Sequence, residues 1–165
     1  MERNRRIIIV SGEINIGKTT SILYWINNNK SKIITGFLTP KIDGERVFYN
    51  IQNNEHYGML AKQDESDCLE IGKYKFSATS FEKAIAQTIK SIELHPNFIV
   101  VDEIGKLELN GLGFHRLIIE LLQIETNLIL VVRNSLVEEV KAHYKLNESV
   151  LELYQITEEN QTLKI

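Results

Sequence analysis

The chain has 165 residues, 43% hydrophobic and 25% charged, a globular balance that excludes general disorder and is long enough for a sizeable core. A formal net charge of -3 excludes an overall basic footprint, so no nucleic-acid partner is expected. The one cysteine, Cys68, excludes an intramolecular disulfide and fits a reducing compartment.

The start MERNRRIIIV imitates a signal-peptide n-region, but its apolar run ends at once in Ser11-Gly12-Glu13. No later run approaches a membrane span, so a soluble cytoplasmic protein without a membrane partner is expected. Ile7 to Val10 is a continuous β-branched run, as in a strand buried on both faces. Lys18 to about Asn29 predicts a helix with Ile22, Trp25 and Ile26 on one face. A second strand is expected over Ile33 to Thr39, then a hairpin in KIDGERVFYNIQ around Asp43-Gly44. A short strand is expected over His56 to Lys62, followed by an acidic loop, QDESDCLE, and a return to strand in GKYKF.

TSFEKAIAQTIKSIEL predicts a helix, with Thr79 and Glu82 as a capping box and Phe81, Ala84, Ile85, Ile89 and Ile92 as the apolar face. Pro96 stops it, and NFIVVDE is the next buried strand. A helix from about Gly113 to Ile124, the strand LILVV, a helix capped by Ser135 and Glu138 and running through His143, and the strand SVLELYQI follow. Thr157 is placed to cap a short terminal helix. Alternating buried strands and amphipathic helices predict an α/β fold with a mainly parallel sheet, organised as one domain over 1–165.

VSGEINIGKTT, directly after the first strand, fits G-x-x-x-x-G-K-[ST]. In that spacing successive backbone N–H groups turn inward on a phosphate, and the following helix adds the positive end of its dipole. Gly12, Glu13, Ile14, Asn15, Ile16, Gly17, Lys18, Thr19 and Thr20 are therefore candidate nucleotide-binding residues. Gly17 permits close approach, Lys18 brings charge to the β- and γ-phosphates, and the Thr19 hydroxyl is a candidate Mg²⁺ ligand. A second segment, FIVVDEIGKLEL, ends an apolar strand in Asp102-Glu103, at the edge where open α/β sheets bind ligands. Asp102 is the second candidate ligand for Mg²⁺. Glu103 is the candidate to orient or deprotonate an attacking water. Lys106 either approaches the phosphates or is solvated. Arg133, just after LILVV, either stabilises charge on the transferring phosphoryl or lies on the surface; Arg46 and Arg116 have weaker claims. The four histidines, His56, His95, His115 and His143, have no metal-ligand spacing.

These segments together resemble the THEP1 nucleoside triphosphatases. VDEIGKLEL is similar to that family's acidic segment almost word for word, GFLT with GERVFYNIQ resembles its hairpin region, and LVEEVKAHY with QITEEN resembles its closing part. The resemblance implies a P-loop NTPase three-layer sandwich, with an antiparallel hairpin extension after the second strand. It also implies Mg²⁺-dependent hydrolysis of nucleoside triphosphates to diphosphates and phosphate, with broad base tolerance. Gly12, Gly17, Lys18, Thr19, Asp102 and Glu103 fall on the family's phosphate, metal and water-activating positions. The family's usual Pro-Gly is here Ile14-Asn15, and asparagine tolerates left-handed backbone. Pro40-Lys41 and Gln161 replace acidic residues and an arginine near the expected base and sugar. Slow turnover is expected in the absence of an assured arginine finger. The expected species is a monomer whose partner is its nucleoside triphosphate substrate. A P-loop kinase of a nucleotide or small metabolite, and a nucleotide-controlled binding module, are the alternatives.

Overall fold

The computed structural model describes residues 5–165, so part of the basic start MERNRR lies outside the described residues. The apolar runs form the middle of one sheet. β1 (Ile7–Gly12), β2 (Ile34–Leu38), β8 (Phe98–Ile104), β9 (Asn127–Arg133) and β10 (Leu151–Ile156) pair in parallel in the order β10-β1-β9-β8-β2. Alternate residues of these strands enter two separate cores. Ile7, Ile9, Ile99, Val101, Leu128 and Leu130 face one, and Ile8, Val10, Phe98, Val100, Ile129 and Val131 face the other. Burial on both sides is why the strands read as unbroken apolar runs rather than alternating ones.

Helices cover each face. α1 (Lys18–Asn28) packs Ile22 and Trp25 into the second core, where the Trp25 ring meets Phe98 edge-on at 5.2 Å. The other face takes Phe81 and Ala84 of α2 (Ala78–Ser91), Leu117, Ile118 and Leu121 of α4 (His115–Leu121), and Val140 of α5 (Val137–His143). A short α3 (Lys106–Leu109) follows β8 directly. The result is a three-layer α/β sandwich. The expected antiparallel extension is present as β3 (Lys41–Ile42), β4 (Glu45–Asn50) and β5 (His56–Gly58). Asp43 at φ 51 and Gly44 at φ 84 form the two-residue turn that joins β3 to β4.

Several local expectations are corrected. The cap of α2 is Ser77, whose hydroxyl accepts from Ser80 N at 3.1 Å. Thr79 already lies inside the helix, so the Thr79–Glu82 box does not form. Asn134–Leu136 winds first into a 3₁₀ turn, which takes Ser135 out of the non-helical geometry a cap requires, and α5 begins at Val137 without a side-chain cap. The Thr157 segment is not helical; its hydroxyl accepts from Asn160 N in a turn, and the tail beyond it buries Leu163. The acidic stretch is only partly loop, because Cys68–Ile71 pairs as β6 with β7 (Tyr74–Ser77) in a separate two-stranded sheet. β5 and α4 are shorter than expected, and α3 is not foreseen by any apolar period.

Candidate active site

Parallel pairing brings the carboxyl ends of β1, β9, β8 and β2 to one edge, and each candidate group leaves from that edge. The loop after β1 turns on two residues of positive φ, Asn15 at 61° and Gly17 at 106°. Asparagine at position 15 therefore takes left-handed backbone, as its short polar side chain allows. Gly12 is required for space: a Cβ there would lie 2.7 Å from Ile16 Cγ2 and 2.9 Å from the Ile156 carbonyl oxygen. Glu13, Ile14 and Asn15 are exposed along the outside of the turn, and Ile16 and Gly17 are half-buried. Thr20 is exposed on the first turn of α1.

Lys18 is buried, and its Nζ donates to the carbonyls of Gly12 at 3.0 Å and Glu13 at 2.7 Å. The loop thus curls around its own lysine. Burial lowers the Lys18 ammonium pKa, while the carboxylates of Glu103 and Asp102 oppose that shift and Arg133 and Arg46 add to it.

Pairing of β8 with β9 shifts register between Val101 and Ile104, at the two acids. Asp102 is fully buried at 0% exposure. Its Oδ2 accepts from the Thr19 hydroxyl at 2.7 Å and from Thr39 N at 2.9 Å. Burial pushes this carboxyl's pKa up, and the two hydrogen bonds work against that rise. Its Oδ1 has no hydrogen-bond partner, and neither does the Thr39 hydroxyl, also buried. A buried polar atom left unpaired costs about 1–3 kcal/mol. Glu103 is half-buried, and its Oε1 accepts from Arg133 Nε at 2.9 Å. Since β9 lies between β1 and β8, Arg133 at its end stands between the two loops, and the neighbouring Asn134 Nδ2 donates to Glu13 Oε1 at 3.3 Å.

Asp102 and Thr19, 83 positions apart in the chain, thus meet as the sequence motifs require. Lys106 is not drawn into this cluster: it is exposed on α3 and makes no side-chain hydrogen bond to a site residue among the described residues. Thr39 enters without being named as a site residue from the sequence, and Arg46 and Gln161, given only minor claims there, gain partners as well. Thr39 touches Asp102, Arg46 Nη1 donates to the Thr39 carbonyl at 3.1 Å, and Gln161 Nε2 donates to the Ile16 carbonyl at 3.3 Å. Arg46 left a trace as a weaker arginine candidate, and Gln161 as the position where an arginine is usual. A surface concavity of about 880 Å³ lies at the opposite edge beside Arg5, Ile7, Lys145 and Val150, away from all of this chemistry.

A family model described as NTPase matches residues 7–164. The chain belongs to the NTPase family. It is accordingly an enzyme of the nucleoside-triphosphatase kind. It is similar to the nucleoside-triphosphatase THEP1 of Sulfolobus acidocaldarius, 28% identical over 94% of this chain and 87% of that one. The THEP1 of Thermotoga petrophila is 29% identical over 86% and 84% of the two chains. The crystal structure of THEP1 from Aquifex aeolicus superposes with a TM-score of 0.68 at 21% identity, covering 93% of this chain and 91% of that one. The solution structure of a human cancer-related nucleoside triphosphatase gives the same TM-score at 22% identity, covering 94% and 91%. These likenesses identify the sandwich of this NTPase-family chain as the P-loop NTPase fold. No helix among the described residues is long and apolar enough to cross a membrane.

The NTPase family implies a divalent metal, and the residues present fit one. Asp102 and Thr19 already share a hydrogen bond, and Asp102 keeps a buried oxygen in reserve. No group of three or more His, Cys, Asp or Glu side chains suited to a metal occurs among the described residues. One acid and one hydroxyl suit a divalent cation that keeps waters and completes its shell with substrate phosphate.

Proposed function

We propose that this chain hydrolyses nucleoside triphosphates to diphosphate and phosphate by in-line attack of water, with Mg²⁺ as cofactor. The observation that carries this reading is the 2.7 Å hydrogen bond from Thr19 to Asp102, which joins the phosphate loop to the acidic strand end. Residues 12–20 would cradle the phosphates through backbone N–H groups, and Lys18 would leave its two carbonyl acceptors for phosphate oxygens. Thr19 and Asp102 would hold Mg²⁺, which when bound neutralises charge developing on the phosphates. Glu103 would orient the water and accept its proton.

Slow turnover accords with Arg133 being committed to Glu103 at 2.9 Å, which keeps that guanidinium from the transferring phosphoryl group. Broad base tolerance follows from a grip built on the triphosphate, which every nucleotide shares. Arg133 would hold Glu103 in place, while Lys106 would stay at the rim. The remaining expectations, a monomeric single domain over 1–165 in the cytoplasm, are tested by sedimentation and fractionation.

The deciding experiment measures phosphate release from ATP, GTP, CTP and UTP with and without Mg²⁺. Glu103→Gln should still bind nucleotide while its turnover falls by about 10²-fold or more. Full turnover in that variant would falsify the assignment of Glu103. Phosphate appearing on an added acceptor instead of in solution would redirect the reading to a kinase.

A further inference from the structure

The hairpin after β2 delivers a cation to the site. Lys41 is opposite Arg46 in the β3–β4 ladder, and Val47 N donates to the Pro40 carbonyl at 3.1 Å. This register sets Arg46 beside Thr39, one residue past the end of β2. Arg46 Nη1 donates to the Thr39 carbonyl, Thr39 N donates to Asp102, and Thr19 donates to the same carboxylate oxygen. Three hydrogen bonds therefore lead from the arginine to the phosphate loop. The charge of Arg46 is felt at both Lys18 and Asp102.

Two arginines stand near Lys18, and they differ in what they already hold. Arg133 has committed Nε to Glu103. Arg46 is half-buried, spends one donor on a neutral carbonyl, and forms no ion pair with a carboxylate among the described residues. A guanidinium carries five donors in a fixed fork that matches phosphate oxygens. A partly desolvated one lacking its own anion, beside a phosphate loop, is suited to an anion brought by substrate.

We propose that Arg46 is the catalytic arginine of this site, supplied in cis by the β3–β4 hairpin and contacting the γ-phosphoryl group as it transfers. Arg133 is instead a positioning residue that holds Glu103. This inference rests on the nucleoside-triphosphatase reading above.

The test compares wild type with Arg46→Gln, Arg46→Lys, Arg46→Ala and Arg133→Gln, each first checked for wild-type melting. Single-turnover phosphate release with Mg²⁺ and ATP is measured beside affinity for ADP alone and for ADP with aluminium fluoride, which imitates the transferring phosphoryl. Arg46→Gln keeps a donor for Thr39 without the charge. It should lose about 10³-fold in rate and lose the extra affinity conferred by aluminium fluoride, with ADP affinity unchanged. Arg46→Lys should retain part of the rate, and millimolar guanidinium ion should restore part of that lost in Arg46→Ala. Arg133→Gln should lose less and keep the fluoride-dependent affinity. Near wild-type turnover in Arg46→Gln overturns the proposal while leaving the hydrolase reading intact. Parallel loss of ADP affinity and rate, without guanidinium rescue, overturns it in favour of a structural role. A wild-type chain that binds nucleotide but releases no phosphate overturns the hydrolase reading and this proposal with it.

Discussion

Replacing Glu108 by glutamine should change how stability depends on pH, and the direction follows from the burial of this side chain. Glu108 is 3% exposed. Its two oxygens accept from Gly105 N at 2.8 Å and Phe114 N at 3.0 Å, tying the start of α3 to the start of α4. Burial raises the carboxyl pKa from an ordinary 4.5 to about 7; the two backbone donors oppose the rise and the charge of nearby Glu103 adds to it. In the unfolded chain the proton leaves near 4.5, whereas the fold keeps it until about 7. Between those values the native state binds more protons, so this group's contribution to stability falls as pH rises through the window. At about 1.4 kcal/mol per pH unit the loss is about 3 kcal/mol between pH 4.5 and pH 7. Glutamine does not titrate, but its amide group faces one of the two N–H donors, a pH-independent cost of about 1–3 kcal/mol. Wild type should therefore be the more stable protein at pH 5, and the difference should shrink or reverse by pH 8. Urea midpoints and slopes for both proteins at the two pH values measure this directly. A constant difference would refute the raised carboxyl, and a wild type that gains on glutamine with rising pH would show that the backbone donors outweigh burial.

Gly36→Ala should cost about 4 kcal/mol or more, or prevent folding, since a Cβ there, at φ +99, would stand 2.1 Å from the Val100 carbonyl oxygen. Gly58→Ala, with nothing within 4 Å, is the control and should melt within a few degrees of wild type. Asp102→Asn should leave metal-free stability within about 1 kcal/mol of wild type or raise it, because it removes a buried charge. It should also abolish the additional melting shift that Mg²⁺ gives over nucleotide alone, and a retained shift would exclude Asp102 as the cation's ligand.

How much of this was legible in the sequence depends on how far each interaction reaches along the chain. The phosphate loop was legible because its geometry is local: Gly12, Gly17, Lys18 and Thr19 act within one turn. Asp102 and Glu103 were legible because two acids end an apolar strand, and the five parallel strands were legible because burial on both faces leaves continuous runs. Thr39 was not, and Arg46 only as a weaker candidate, since their importance comes from contacts that the sheet order creates; Thr39 and Asp102 are 63 positions apart. Glu108 carries no signal of its own in the sequence, because only the fold shows that its oxygens bridge Gly105 and Phe114. Ser77 and Thr79 both offer a cap, and the backbone at the end of β7 selects the first. β6 and β7 form a two-stranded sheet apart from the main one, with an isolated bridge from Leu60 to Phe76, so no alternating buried face marks them. Gly36 sits in an apolar strand with no turn signal, and its need for no side chain comes from the approach of Val100.

The arrangement of charges around Thr39 separates a site from a structural ion pair. Arg46 and Asp102 carry opposite charges and are joined through one residue, yet they do not bond to each other. Thr39 stands between them with its N–H on the acid and its carbonyl on the arginine. Direct pairing would compensate each charge with the other, and stability alone would favour it over leaving Asp102 Oδ1 buried without a partner. The peptide spacer instead satisfies each side with a neutral group and leaves both charges for a third party. That party must offer a cation to the acid and an anion to the arginine at once. A metal-bound triphosphate does both, and a bare nucleotide or a bare metal ion does only half.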